Sequence, residues 1–408
     1  MKFKIFFLVV TLLFISLRFP ILNSKGGDYS TYTSAVKSFL KGENIYHYTV
    51  KSFEDPNDNL ENGYAYMPTL LYLLSTLYVA SESLSIKENL PFLWKIPNLL
   101  SELIIIYLIL RNITLSSKYR ILTSIVFSLF WIFSPHLISQ YNYTMFDMVF
   151  LVFTVLSIKY LKKNILLSSL FFAIAVSFKT ISIILLPMIL IYLHRSKVDF
   201  RSKIKHIFSY IFIGILFYIA ISIPFITTLD DLNSYIKGSL LVHGDREVSG
   251  RPLISFVNYL LTNDIDLMLQ YQFFNFFALL ALLAPIILNT YLSFKDKSQD
   301  FFKIATFTFG LYIFLTPVLN RTHLLWILPI LFLYLSTILE KKNYLKINIS
   351  VIVIWFTLFI YLINWQAGFR LDKNNTGLVL LPNANKEWEF TKVIRNYYYE
   401  VRGNFLNK

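Results

Sequence analysis

The sequence predicts an all-α polytopic membrane protein, and three observations carry that prediction. Of 408 residues, 56% are hydrophobic and only 15% charged, with a mean hydropathy of +0.56. A soluble domain cannot hide that much apolar surface, because its interior grows too slowly relative to its surface. Apolar runs long enough to cross roughly 30 Å of hydrocarbon recur along the chain. Basic residues gather in alternate connecting segments, as loops on the cytoplasmic side of a membrane do.

The predicted spans lie at about 5–22, 90–110, 120–136, 146–161, 164–178, 180–195, 205–226, 268–292, 300–316, 320–340 and 347–365. The first follows Lys2 and Lys4, but no small-residue cleavage site succeeds it, so it reads as an uncleaved first span. The run 164–195 would be about 48 Å long as one helix, too long for a single crossing. Lys179 therefore marks a turn between two short helices. Met67 to Ala80 is an apolar stretch of only fourteen residues opening at Pro68, and it reads as interfacial or re-entrant rather than spanning.

Loop charge tests that assignment. With the N-terminus inside and 67–80 left out, the cytoplasmic segments hold 19 basic residues against four acids. They include Lys4, Arg111, Arg120, Lys162, Lys163, Arg195, Arg201, Lys295, Lys303 and Lys346. Essentially the whole net charge of +14 sits there. It is a topology signal and not a nucleic-acid footprint. The expectation is about eleven spans, N-terminus in and C-terminus out.

Three longer segments are then expected outside the membrane. The first loop, 23–89, carries "GGDYSTYTSAVKSFL" with its lone acid, Asp28. The second, about 227–267, carries Arg246 and Arg251. The tail from Gln366 contains "KEWEFTKVIRNYYYEV", which reads as an amphipathic surface helix. The expected division is a transmembrane domain, 1–365, and an outer tail, 366–408. With no cysteine, disulfide and thiolate chemistry are excluded, and six scattered histidines give no zinc spacing. The site residues include no metal ligand, no cofactor is implied, and the sequence leaves metal dependence open.

Polar residues then gather at the outer face: Asp28, Asp147, Lys179, Arg246, Arg251, Arg321 and His323. An acid facing several cations beside lipid suits chemistry on a phosphate-bearing lipid, because burial magnifies each charge interaction. Each residue also has a plainer role. Asp28 suits the N-cap of a helix over Tyr29–Leu40, and Asp147 the start of its own helix. Lys179 suits a snorkelling interfacial lysine, and Arg321 with His323 the flank of a span. Glu102, mid-span, needs a polar neighbour or a place facing the bundle interior.

These stretches resemble the GT-C superfamily of membrane glycosyltransferases, most closely its mannosyltransferase-like members such as the GPI mannosyltransferases. "GGDYSTYTSAVKSFLKGENIYHY" is similar to the family's acid–aromatic–helix opening, and "YAYMPTLLYLLS" to its tyrosine–proline segment. "WKIPNLLSELIIIYLI" resembles a helix in which Glu102 stands where the family usually has Asp. "SQYNYTMFD" occupies the place of a GQxD motif, with Thr144 and Met145 in place of Gly and Gln. "AIAVSFKTISIILLP" and "NRTHLLWILPIL" resemble later blocks, in order. The resemblance implies transfer of a hexose, mannose by the family's habit, from a polyprenyl-phosphate donor to a lipid-linked or cell-surface glycan acceptor at the outer face of the cell membrane. It implies Asp28 as general base, with Lys179, Arg251, Arg321 and His323 on the donor phosphate. Tyr29, Tyr66 and Asp147 are candidate substrate contacts. The implied partners are the lipid-linked donor, the acceptor and membrane lipids, with no nucleic acid. A lipid-linked sugar flippase or other transporter is the main alternative and a non-catalytic assembly subunit the next. The absence of an internal repeat in the sequence weighs against a transporter.

Overall fold

The computed structural model describes residues 3–380 apart from 55–62, 114–116, 197, 243–248, 251–270, 297–299, 320–321, 341–342, 367–368 and 372–377. The chain is mainly helical, as an all-α membrane protein requires, and each of the eleven apolar runs contains helix. Strand is confined, among the described residues, to two short two-stranded ladders. Among the described residues, five helical stretches are long and apolar enough to cross a membrane: Phe3–Ile21, Lys87–Asn112, Tyr119–Asn142, Phe200–Phe225 and Ala278–Lys295.

The chain divides into two compact units. The first comprises Met1–Gly27, Ile106–Met145 and Ser336–Lys408. Its helices are α1 (Phe3–Arg18), the end of α5 (Leu90–Asn112), α6 (Ser117–Phe133), α7 (Pro135–Asn142) and α16 (Tyr344–Gln366). Aromatic contacts tie its basic residues to one end. Phe3 lies 6.0 Å from Tyr107 between ring centres, Arg120 stacks 5.9 Å over Phe3, and Tyr119 meets Tyr344 at 4.4 Å. At the far end of α1, Arg18 is fully buried. It donates to the carbonyls of Ile132 at 2.6 Å and Trp131 at 3.0 Å. Those carbonyls close α6, where the helix leaves acceptors unpaired and its dipole favours a cation.

The Gly-Gly approach to Asp28 belongs to this unit too. A Cβ on Gly26 would meet the Asn142 carbonyl oxygen at 2.2 Å. One on Gly27, at φ +62°, would meet that of Tyr143 at 2.3 Å. The glycines are there because the segment runs hard against the backbone leaving α7. The Thr144 hydroxyl completes the contact by donating to the Gly26 carbonyl at 3.0 Å.

The second unit comprises Asp28–Ile105 and Phe146–Leu335. It holds α2 (Tyr29–Leu40), α3 (Ile45–Glu54), α4 (Pro68–Ser83), most of α5, α8 (Asp147–Tyr160), α9 (Ile165–Phe178) and α10 (Leu186–Arg195). It continues with α11 (Phe200–Ser222), α12 (Leu229–Ile236), α13 (Tyr271–Lys295), α14 (Phe301–Leu315) and α15 (Leu328–Thr337). The turn expected at Lys179 is present. α9 ends at Phe178, Lys179 is extended, and a 3-10 segment, Thr180–Leu185, leads into α10. Both ends of the 164–195 run meet at Phe301, with Lys162 4.9 Å over its ring and Tyr192 at 5.0 Å. The run is therefore a hairpin with Lys179 at its tip. Arg195 donates to the carbonyls of Ser293 and Phe294, so three basic loops share one end of the unit.

Some expectations need correction. The run 120–136 lies within the candidate span Tyr119–Asn142, but with a break the sequence reading did not expect: Ser134 is extended and Pro135 opens α7. Pro68–Ser83 is a helix of 16 residues, about 24 Å, still short of the hydrocarbon thickness. Yet α8 and α9 have 14 residues each and α14 has 15, so length alone does not set α4 apart. The expected tail helix over "KEWEFTKVIRNYYYEV" lies outside the described residues.

Candidate functional site

Asp28 stands at the N-terminal cap position of α2, yet its side chain makes no capping bond. Its carboxylate instead accepts from two phenols, Tyr32 Oη at 3.2 Å and Tyr66 Oη at 3.3 Å. The first follows from helical spacing, since residues four apart share a face. The second needs the loop before α4. That loop is pinned to α3, where Tyr46 donates to the Tyr66 carbonyl at 2.9 Å and Thr49 to that of Tyr64 at 2.9 Å. Burial, with Tyr66 and the Asp28 charge beside it, pushes the Tyr32 phenol well above its ordinary value, so it remains a donor at neutral pH. Tyr29 faces the other way and packs on Trp94 at 5.2 Å between rings. Asp28 itself is half-buried and Tyr32 fully buried.

A second carboxylate lies along the same chain of contacts. The Tyr32 ring meets Phe146 edge-on at 5.6 Å, and Phe146 precedes Asp147. Asp147, 1% exposed, accepts on Oδ1 from Lys179 Nζ at 2.5 Å and Trp326 Nε1 at 2.9 Å. Lys179 also sits 4.6 Å over the Trp326 ring and 5.7 Å over Phe150. The tip of the α9–α10 hairpin and the first turn of α8 are thus joined by one ion pair. α8 is 14 residues long, so the pair lies about 21 Å along the bundle from the basic loops. That is less than the full thickness of a hydrocarbon layer. Asp147 is buried, so an unpaired charge there is costly, and the pairing answers that cost.

Other expected site residues fall as follows. His323 Nδ1 bonds to the Val318 carbonyl at 2.9 Å, and its ring packs on Trp326 at 4.2 Å, so it belongs to the Asp147 cluster. Tyr66 joins Asp28. Lys179 joins Asp147 rather than standing as an unpaired cation for a phosphate. Arg246, Arg251 and Arg321 lie outside the described residues. Glu102 is fully buried and faces the interior, as its position mid-span requires.

Sequence reasoning passed over Tyr32, Lys95, Asn98 and Trp326. Lys95, Asn98, Ser101 and Glu102 are all buried, at spacings of three, three and one along α5. They form a polar stripe on one face of an apolar helix. That periodicity was readable in "KIPNLLSE". The Trp326 bond to Asp147 joins residues 179 positions apart and left no local trace. Among the described residues, no group of three or more His, Asp or Glu side chains is placed to hold a metal ion. No protein-family model matches the chain, and no curated protein is detectably similar to it.

Proposed function

We propose that the protein is an integral membrane glycosyltransferase. It moves a hexose, mannose by the resemblance, from a polyprenyl-phosphate donor to a lipid-linked or cell-surface glycan acceptor. The observation that carries this reading is the Asp28 carboxylate, released from capping and oriented by two neutral hydroxyl donors. A hydroxyl acceptor is a poor nucleophile at neutral pH, and a positioned carboxylate accelerates its attack. The acceptor oxygen bonds to the anomeric carbon, the bond from that carbon to the phosphate oxygen breaks, and the proton passes to Asp28. Polyprenyl phosphate leaves, and cations stabilise its developing charge. Arg251, Arg321 and His323 are the candidates, with Lys179 contributing those donors not engaged by Asp147.

The topology that goes with this reading has about eleven spans, a cytoplasmic N-terminus and an outer C-terminus. Convergence of the basic loops at one end of each unit supports it, by the positive-inside rule. In it, Pro68–Ser83 does not cross the membrane, and Asp28 sits at the outer face.

The test is transfer of radiolabelled mannose from mannosyl polyprenyl phosphate by purified protein in nanodiscs. Asp28→Asn keeps the shape and removes the base, so turnover should fall about 10²–10⁴-fold with folding intact. Near-normal transfer by Asp28→Asn would end the assignment of Asp28. Translocation without transfer in the parent protein would favour the flippase.

A further inference from the structure

Two buried polar atoms flank the start of α8 without a hydrogen-bond partner among the described residues. One is Asp147 Oδ2 and the other Asn98 Nδ2. Each belongs to a side chain whose remaining polar atom is firmly held. Asp147 Oδ1 takes Lys179 and Trp326, and Asn98 Oδ1 accepts from the Met148 backbone N–H at 3.1 Å. Both residues are 1% exposed. One orphan is an acceptor and the other a donor, and the Asp147–Met148 peptide links them. Leaving such groups unmatched costs about 1–3 kcal/mol each, more for the charged one. A retained, rigidly oriented pair of this kind is what a polar ligand needs.

We infer that Asp147 Oδ2 and Asn98 Nδ2 form a subsite for the hydroxyls of a sugar. A hydroxyl both donates and accepts, so neighbouring hydroxyls of a pyranose satisfy the carboxylate oxygen and the amide together. A phosphate does not fit, because it offers no donor to the carboxylate and would be repelled by it. The Lys179 ammonium and the Trp326 indole act as positioning groups that fix the carboxylate. The polar stripe on α5 continues from Asn98 to Lys95 and Glu102, one turn to either side, so the sugar lies against a polar helix face and not a greasy one. The inference rests on the glycosyltransferase reading only for its choice of lipid carrier.

The test compares binding of mannosyl polyprenyl phosphate with that of bare polyprenyl phosphate by the full chain in nanodiscs, for the parent protein, Asn98→Asp and Asn98→Ala. Asn98→Asp keeps the acceptor for the Met148 N–H while removing the donor, so it separates the subsite from the helix start. The parent should prefer the mannosyl lipid. Both variants should lose about three- to tenfold of that preference, the worth of one hydrogen bond, with bare-carrier affinity unchanged. Asp28→Asn should keep the full preference while losing turnover, which separates failure of the subsite from failure of the base. No preference in the parent, a preference surviving both variants, or equal losses for both lipids would overturn the subsite and leave the orphaned atoms to a buried water.

Discussion

The Asp147–Lys179 pair has two partners in unequal surroundings, and that inequality fixes the order of its variants. Asp147 is 1% exposed and Lys179 23%. Replacing Lys179 with Met leaves a carboxylate deep in the protein with only the Trp326 N–H on Oδ1, and breaking a buried pair in this way costs about 3–5 kcal/mol. Replacing Asp147 with Asn leaves an ammonium that still reaches solvent. Only the charge-assisted bond is lost, worth about 1.5–3 kcal/mol. The double variant Asp147→Asn, Lys179→Met carries no stranded charge and should lie nearer to Asp147→Asn than to Lys179→Met. The implied coupling is about 3–4 kcal/mol. Denaturant unfolding of the four purified proteins in detergent, followed by far-ultraviolet circular dichroism, measures the cycle. Additivity within about 0.5 kcal/mol, or an Asp147→Asn loss as large as that of Lys179→Met, would refute the argument.

Four further outcomes are expected. Tyr66→Phe removes a donor that favours ionised Asp28, so the acid limb of the pH–kcat/KM profile should move to higher pH, by up to about one unit. An unmoved limb would show that the phenol does not act on the base. Gly27→Ala should lower stability by more than about 2 kcal/mol in thermal unfolding, because its Cβ collides with the Tyr143 carbonyl at a positive φ. Thr144 is β-branched at φ +53°, so Thr144→Gly should be more stable than Thr144→Ala by about 1–2 kcal/mol, although both lose the bond to the Gly26 carbonyl. Asp231 is held below the usual carboxylate range by the Thr227 hydroxyl, then by His47 and Asn44, and joins α3 to α12. Its contribution is present above the unfolded value of about 3.9 and lost as pH falls below it, so hydrogen-exchange protection in α3 and α12 should drop there, and less so in Asp231→Asn.

What the sequence made legible was what has a local or periodic origin. Apolar runs gave the helices, loop charge gave the shared basic ends, and the excess length of 164–195 placed a turn at Lys179. Position 144 is instructive. The chain has threonine there, in the left-handed backbone conformation that glycine favours, and the residue type alone gave no sign of it. What stayed hidden depends on pairing across distance. Nothing near Asp28 in the chain announces Tyr66, 38 positions on, and nothing near Lys179 announces Asp147, 32 positions before it. A lone lysine at a helix break reads equally as a snorkelling end and as half of an ion pair, and only the fold decides. The stripe on α5 was the missed case, since its three- and four-residue spacing was visible and its letters were read as part of an apolar span.

In the proposed transfer, the two carboxylates divide the labour that the sequence reading gave to Asp28 alone. A base must exchange a proton with a substrate, so it needs an open approach and donors that do not neutralise it. Asp28 is half-buried and accepts from two phenols, of which burial makes the Tyr32 proton hard to remove. Asp147 has neither. Its charge is matched by Lys179 and one oxygen is fixed by two donors, so proton exchange there would strand the ammonium in the protein. A carboxylate so constrained is suited to hold a hydroxyl and not to take its proton. In the proposed reaction, the contact chain from Asp28 through Tyr32 and Phe146 to Asp147 joins the proton-accepting group to the sugar-holding one. Tyr32→Leu should therefore affect both functions, raising KM for the mannosyl donor as well as lowering kcat. Tyr32→Phe, which keeps the ring against Phe146 and loses only the hydroxyl, should lower kcat alone. Parallel behaviour of the two substitutions would show that the sites are independent.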